Sequence, residues 1–189
     1  MVKVFMGKII LCRLHKYLMC FVAALWFAFL SACSLTGVPE GISPVNDFEL
    51  DRYLGRWYEI ARLDHRFERG LEQVTAEYSL NNDGTVKVVN SGVSSSTGKQ
   101  KTATGRAKFV RDSKIGHLKV SFFGPFYGGY VIFELDKENY DYALVTGPSR
   151  RFLWLLARRP DLDEKTYQSL IARAKDEGFA VEKLIQVKH

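Results

Sequence analysis

Eight times between Arg56 and Arg158 the chain passes through a run of strand length, rich in apolar, aromatic and β-branched residues, and then through a cluster of Gly, Asn, Asp, Ser or Pro. Turn signals at that spacing, roughly every 8–12 residues, point to an antiparallel sandwich or barrel rather than to alternating strand and helix units. The runs are approximately Arg56–Leu63, Gln73–Leu80, Thr85–Gly92, Thr102–Val110, His117–Phe123, Gly129–Leu135, Tyr142–Thr146 and Phe152–Arg158. Asn81-Asn82-Asp83-Gly84 and Asp136-Lys137-Glu138-Asn139 are the clearest hairpin turns, because Asn, Asp and Gly tolerate positive φ.

Alternation within the runs assigns faces. Val74, Ala76 and Tyr78 interleave with Gln73, Thr75 and Glu77, and Leu118, Val120 and Phe122 interleave with His117, Lys119 and Ser121, so one face is apolar and the other wet. Phe152-Leu153-Trp154-Leu155-Leu156 is apolar at every position, which requires cover on both sides. The cover is a helix expected from Asp161 or Asp163 to Gly178, with Tyr167, Leu170, Ile171 and Ala174 at helical spacing and Gly178 suited to a left-handed cap. A ninth strand, Val181–Val187, should follow it.

The N-terminus has a different character. Lys3, Lys8, Arg13 and Lys16 precede an apolar run from Tyr17 to Leu30, and no acidic residue occurs before Glu40. This is the pattern of a signal peptide, expected over residues 1–32; its 14 apolar residues fall short of the roughly 20 that span a bilayer as a helix. Leu30-Ser31-Ala32-Cys33 resembles the bacterial lipobox, which implies cleavage before Cys33 and lipidation of its thiol. More than one acyl chain makes such anchoring stable, at about 0.8 kcal/mol per buried CH₂. Ser34 after the cysteine implies, by the same resemblance, export to the outer membrane rather than retention at the inner one. Residues 33–46, with Gly37, Pro39, Gly41 and Pro44, read as an irregular tether, and 47–189 as one folded domain, opened by a short helical turn near Phe48–Tyr53.

Residues 1–32 hold four of the 27 basic residues and none of the 21 acidic ones, so the formal charge falls from +6 to +2 on their removal. Dispersed charges of that size give no footprint for nucleic acid. Cys12 and Cys20 leave with the signal and Cys33 is acylated, so no pair remains for a disulfide and the core must hold by packing.

Gly55-Arg56-Trp57, opening the first strand, resembles the signature of the lipocalin family; Tyr140-Asp141-Tyr142 resembles its second motif and Arg158 its third. With the lipobox and the stretch Lys119–Tyr130, the chain is similar to the bacterial outer-membrane lipoprotein lipocalins over essentially its whole mature length. The resemblance implies an all-β fold with one C-terminal helix, an eight-stranded antiparallel up-and-down barrel. It also implies structural roles for Gly55, Trp57 and Arg158, the guanidinium covering the indole face in a contact worth about 0.5–2 kcal/mol.

Parity gives Ala61, Val74, Ala76, Tyr78, Val88, Val120, Phe122, Val131, Phe133, Tyr142, Leu144, Trp154 and Leu156 as candidate lumen walls. A barrel of eight strands either packs solid with such residues or holds one small ligand. Glu59 shares the parity of Trp57 and is either an inward polar anchor or half of an outward salt bridge. An apolar lumen on a membrane-tethered lipocalin implies a fatty acid or lysophospholipid, bound, stored or transported for envelope maintenance. A scaffold acting through protein contacts is the alternative.

His65-Arg66-Phe67-Glu68-Arg69-Gly70 is either a headgroup contact or a solvated loop. Phe123, Phe126, Tyr127 and Tyr130 around Gly124-Pro125 are a lip, a partner surface such as a homodimer interface, a membrane contact, or local packing. No Ser or Cys stands beside an oriented base, and His65, His117 and His189 are far apart in sequence, so neither catalysis, a metal nor a cofactor is implied.

Overall fold

The computed structural model describes residues 35–189; the signal segment and Cys33 lie outside the described residues. A short helix, Leu50–Tyr53, leads into eight strands: β1 Gly55–Leu63, β2 Leu71–Leu80, β3 Val86–Ser94, β4 Gln100–Phe109, β5 His117–Phe123, β6 Phe126–Leu135, β7 Tyr142–Thr146 and β8 Leu153–Ala157. Each pairs antiparallel with the next, β8 pairs with β1, and β1 with β2, so the sheet closes on itself. The C-terminal helix Glu164–Asp176 follows, then a 3₁₀ turn at Val181–Lys183 and a short strand β9, Leu184–Gln186, paired to the later part of β1.

The helix boundaries are chemical. Asp163 accepts from the Thr166 amide at 3.0 Å as N-cap, and Gly178 takes φ +80° past the last turn, a conformation that burdens any side chain. The ninth strand is shorter than Val181–Val187 because Val181–Lys183 coils into the 3₁₀ turn first.

Two apolar layers result. Trp57, Tyr78, Val88, Ile132, Ala143, Val145 and Leu156 belong to the barrel interior, whereas Ala61, Leu144, Leu153 and Leu155 pack outward with Leu170, Ala174 and Phe179 under the helix. Strand β8 therefore faces apolar neighbours on both sides, Trp154 and Leu156 inward, Leu153 and Leu155 outward.

Residues 36–46 are irregular, yet they are no free tether. Val45 donates to the Ile132 carbonyl at 2.9 Å and its own carbonyl accepts from Gly116 at 2.9 Å. Ile42 is buried in the outer layer, and the Glu40 carbonyl accepts from Arg150 at 2.6 Å. The segment is bonded along the barrel wall.

Because Leu144 sits in the outer layer, Leu144→Ala should cost about 2–5 kcal/mol of stability in urea unfolding, as buried Leu truncations do, while leaving affinity for a lumen ligand within about twofold.

Candidate functional site

One end of the barrel is closed by a plug. Trp57 is fully buried, its indole N–H donates to the Tyr53 carbonyl at 2.8 Å, and the Arg158 guanidinium lies 4.0 Å from its ring. Arg158 also donates to the carbonyls of Tyr140 at 3.2 Å, Leu54 and Arg56 at 3.0 Å and Arg52 at 2.5 Å. One guanidinium thus ties the strand it follows to the segment leading into β1. Gly55 has φ +90°, and a Cβ there would lie 3.6 Å from an Arg158 nitrogen, so the turn into β1 needs glycine for its conformation.

Above the plug, three phenols line up. Tyr130 shares hydrogen bonds with Tyr53 at 2.7 Å and Tyr78 at 2.8 Å, and burial pushes all three hydroxyls above the usual phenol range, so they stay protonated. Higher in the barrel the inward face is apolar and mixed in size. Ala76, Tyr78, Val88, Val120, Phe122, Trp154 and Leu156 belong to the interior layer. Val74 is buried against Gly92, and Ala76, Val120, Phe122 and Trp154 retain partial exposure although pairing places them inside. Gly128, opposite Val120, is the clearest opening: a Cβ built there meets nothing within 4 Å. Gly105 lets the Phe122 ring lie across the wall, since a Cβ would come within 2.9 Å of it.

Ala61, Val131, Phe133, Tyr142 and Leu144, expected inward by parity, face outward. In β1 the register shifts between Glu59 and Ala61, so Glu59 opposes Leu156 but Ala61 opposes Leu155, and Arg62 turns inward opposite Trp154. Phe133, next to the inward Ile132, is outside, where it stacks on Phe179 at 5.3 Å, and a shift between Ile132 and Glu134 returns Leu135 to the interior. Val131 lies between the inward Tyr130 and Ile132 and opposes Thr146. In β7 it is Ala143 and Val145 that point inward, so Tyr142 and Leu144 join the helix layer. A bulge reverses parity for everything beyond it, and no residue type in these strands announces one.

The bulge in β1 also creates a buried charge cluster. Arg62, 2% exposed, donates to Glu59 Oε1 at 2.6 Å and to the carbonyls of Glu68 at 2.9 Å and Leu71 at 3.1 Å. Glu68 accepts from the Trp154 indole at 3.0 Å, with His65 Nε2 at 3.1 Å. Glu59 is therefore an inward polar group, and the 64–70 loop divides: His65 and Glu68 are buried while Phe67 is exposed. Burial, then the neighbouring Glu68 charge, push the Glu59 carboxyl well above its usual range. Burial raises Glu68 as well, but the neighbouring His65 and the Trp154 indole outweigh it and hold the carboxyl below its usual value. The opposed directions favour the proton on Glu59 and the charge on Glu68, in a low-dielectric site that also holds the Arg62 cation.

The motif geometry has a direct counterpart among known proteins. A model of the lipocalin-like domain matches residues 48–189. The chain belongs to the lipocalin family. This lipocalin is 54% identical to the outer membrane lipoprotein Blc of Vibrio cholerae, with 85% of this chain and 96% of that protein covered, and 51% identical to the outer membrane lipoprotein Blc of Escherichia coli K12, with 88% and 94% covered. It is 37% identical to temperature-induced lipocalin-1 of Arabidopsis thaliana, over 74% of this chain and 78% of that one. Among solved structures, insecticyanin of the tobacco hornworm superposes with a TM-score of 0.65 at 22% identity, covering 81% of this chain and 87% of that one.

Arg158→Ala should lower stability by about 2–4 kcal/mol, from lost carbonyl bonds and the cation–π contact, with ligand affinity moving less than about twofold. Calorimetry beside a binding titration measures both. In the charge cluster, Arg62→Ala leaves a carboxylate buried without its cation and should cost about 3–5 kcal/mol, whereas Glu59→Gln should be tolerated near neutral pH. Since the Glu59 pKa is raised in the folded state, its stabilisation is present at acid pH and is lost as pH rises through that raised value. The native protein should therefore lose stability on alkalinisation more steeply than Glu59→Gln, and parallel melting curves against pH would contradict the raised Glu59 pKa.

Proposed function

We propose that this lipocalin binds the acyl chain of a fatty acid or lysophospholipid in its barrel while held at the periplasmic face of a bacterial outer membrane by a lipid on Cys33. The observation that carries the reading is the apolar, partly exposed interior wall, small at Ala76, Gly92, Gly105 and Gly128 and aromatic at Phe122 and Trp154. A narrow hydrophobic lumen with few polar groups accepts a flexible hydrocarbon and little else. The charge cluster and the tyrosine trio supply the few polar groups within it, the first beneath the β1–β2 loop and the second above the plug. The names of the bacterial relatives support the membrane part of the reading, as does the lipobox ending at Cys33. Its role is carriage or storage, with the chemistry of turnover left to other proteins.

Gly128 offers the sharpest test. Gly128→Phe places a ring in open lumen without meeting other atoms at its Cβ, so the fold should keep its melting temperature while affinity for palmitate and lysophosphatidylcholine falls about tenfold or more. Native mass spectrometry of the protein as isolated, followed by extraction, should find a stoichiometric acyl species in the parent chain and none in the variant. A parent chain that is empty and refuses both lipids would overturn the reading in favour of a scaffold.

A further inference from the structure

All three exposed phenylalanines among the described residues stand at one end of the barrel. Phe123 and Phe126 are 76% and 75% exposed, and Phe67 is 62% exposed. Phe123 and Phe126 oppose each other at the β5–β6 turn, and Phe67 lies in the β1–β2 loop. Loops of an up-and-down barrel alternate between its ends, so these two share the open end with the β3–β4 and β7–β8 loops, opposite the Trp57 plug. Exposed rings on a tight hairpin forgo the burial that aromatic side chains ordinarily gain.

Charge divides along the same axis. The open-end loops carry Arg66, Arg69, Lys99, Arg150 and Arg151 against Asp64 and Glu68, an excess of three positive charges that Glu40 and Glu177, held against Arg150, reduce to one. At the plugged end, residues 47–54, 81–85, 110–116 and 136–141 together hold eight acidic and four basic residues, an excess of four negative charges. The plugged end is thus the more acidic of the two.

The N-terminal segment is bonded along the outside of the barrel wall, touching both halves of its length. Read backward from Val45, bonded to Ile132, it passes Glu40, bonded to Arg150 of the β7–β8 loop, and reaches Thr36, whose carbonyl is 2.9 Å from the His117 ring. A Cβ at Gly129 would lie 3.1 Å from the Gly37 carbonyl, so the chain joins the barrel alongside β6, three residues below Phe126.

We propose that the open end of the barrel rests on the anionic phospholipid surface that holds the lipid anchor, with Phe123 and Phe126 inserted among the acyl chains. The anchor itself rests on the lipidation of Cys33 proposed above. Aromatic insertion supplies apolar contact and the basic loops attract anionic headgroups. In this orientation the lumen opens onto the bilayer, and an acyl ligand moves between membrane and barrel without crossing water.

The test uses the lipidated mature chain, whose only free thiol is an introduced one, in vesicles of phosphatidylethanolamine and phosphatidylglycerol. A nitroxide on the Phe126→Cys variant should collide with oxygen in preference to a water-soluble nickel complex, and one on Asp83→Cys, at the plugged end, should show the reverse. Both labels favouring the nickel complex would overturn the proposal, and dipolar broadening between hairpin labels without oxygen preference would do so in favour of a second copy of the chain. A parallel Cys33→Ser protein separates this from the anchor. It should still sediment with phosphatidylglycerol vesicles, about fivefold less after Phe123→Ser and Phe126→Ser, and failure to bind at all would count against the open end as a lipid surface. If the N-terminal peptide carries no lipid by mass while the hairpin label still enters the bilayer, the anchor reading fails and the proposal stands.

Discussion

A sheet that closes on itself must end somewhere, and here the end is held by a single cation. Arg158 covers the Trp57 ring and donates to four carbonyls, two of them in the segment that leads into β1 and one in β1 itself. Strand β1 is the seam of the barrel, paired with β2, β8 and β9. Anchoring its start fixes the register of its neighbours and leaves the opposite end free to open. The asymmetry of the molecule, plugged and acidic at one end, aromatic at the other, is built outward from that contact.

The same seam carries the bulge that makes the interior more than a hydrocarbon slot. By reversing parity after Glu59 it turns Ala61 toward the helix and Arg62 into the barrel. A buried guanidinium demands compensation, and the compensation comes from Glu59 and from Glu68 on the β1–β2 loop. That loop is thereby held down at Glu68, whose carbonyl accepts from Arg62 and whose carboxyl accepts from Trp154, while Phe67 stays outside. Packing on one face and electrostatics on the other are consequences of one extra residue in a strand.

The outer layer has a separate logic. Leu144, Leu153 and Leu155 face the C-terminal helix, and Phe133 stacks on Phe179 just beyond it. This layer stabilises the wall without touching the lumen, so the two faces of β7 and β8 can vary for different reasons. The N-terminal segment adds a third contact along β6, and its bonds to Ile132, Gly116 and Arg150 hold it on the barrel wall rather than leaving it as a loose spacer.

Strand count, the turns at Asn81–Gly84 and Asp136–Asn139, the capped helix and the pairing of Trp57 with Arg158 were legible in the sequence, because each rests on local chemistry or on a motif of few residues. Inward positions were legible at Ala76, Tyr78, Val88, Val120 and Phe122, where the apolar side of the alternation is the interior. They were not legible at Ala61, Val131, Phe133, Tyr142 and Leu144. Parity is a local rule, and a bulge in β1, like the absolute faces of β6 and β7, is set by how neighbouring strands pair across the closed sheet. The buried partnership of Arg62, Glu59, His65 and Glu68 likewise depends on closure, since only the folded barrel removes those charges from water. Local pattern determined that the chain would make an apolar-lined barrel, and long-range pairing alone decided which side chains its lumen would meet.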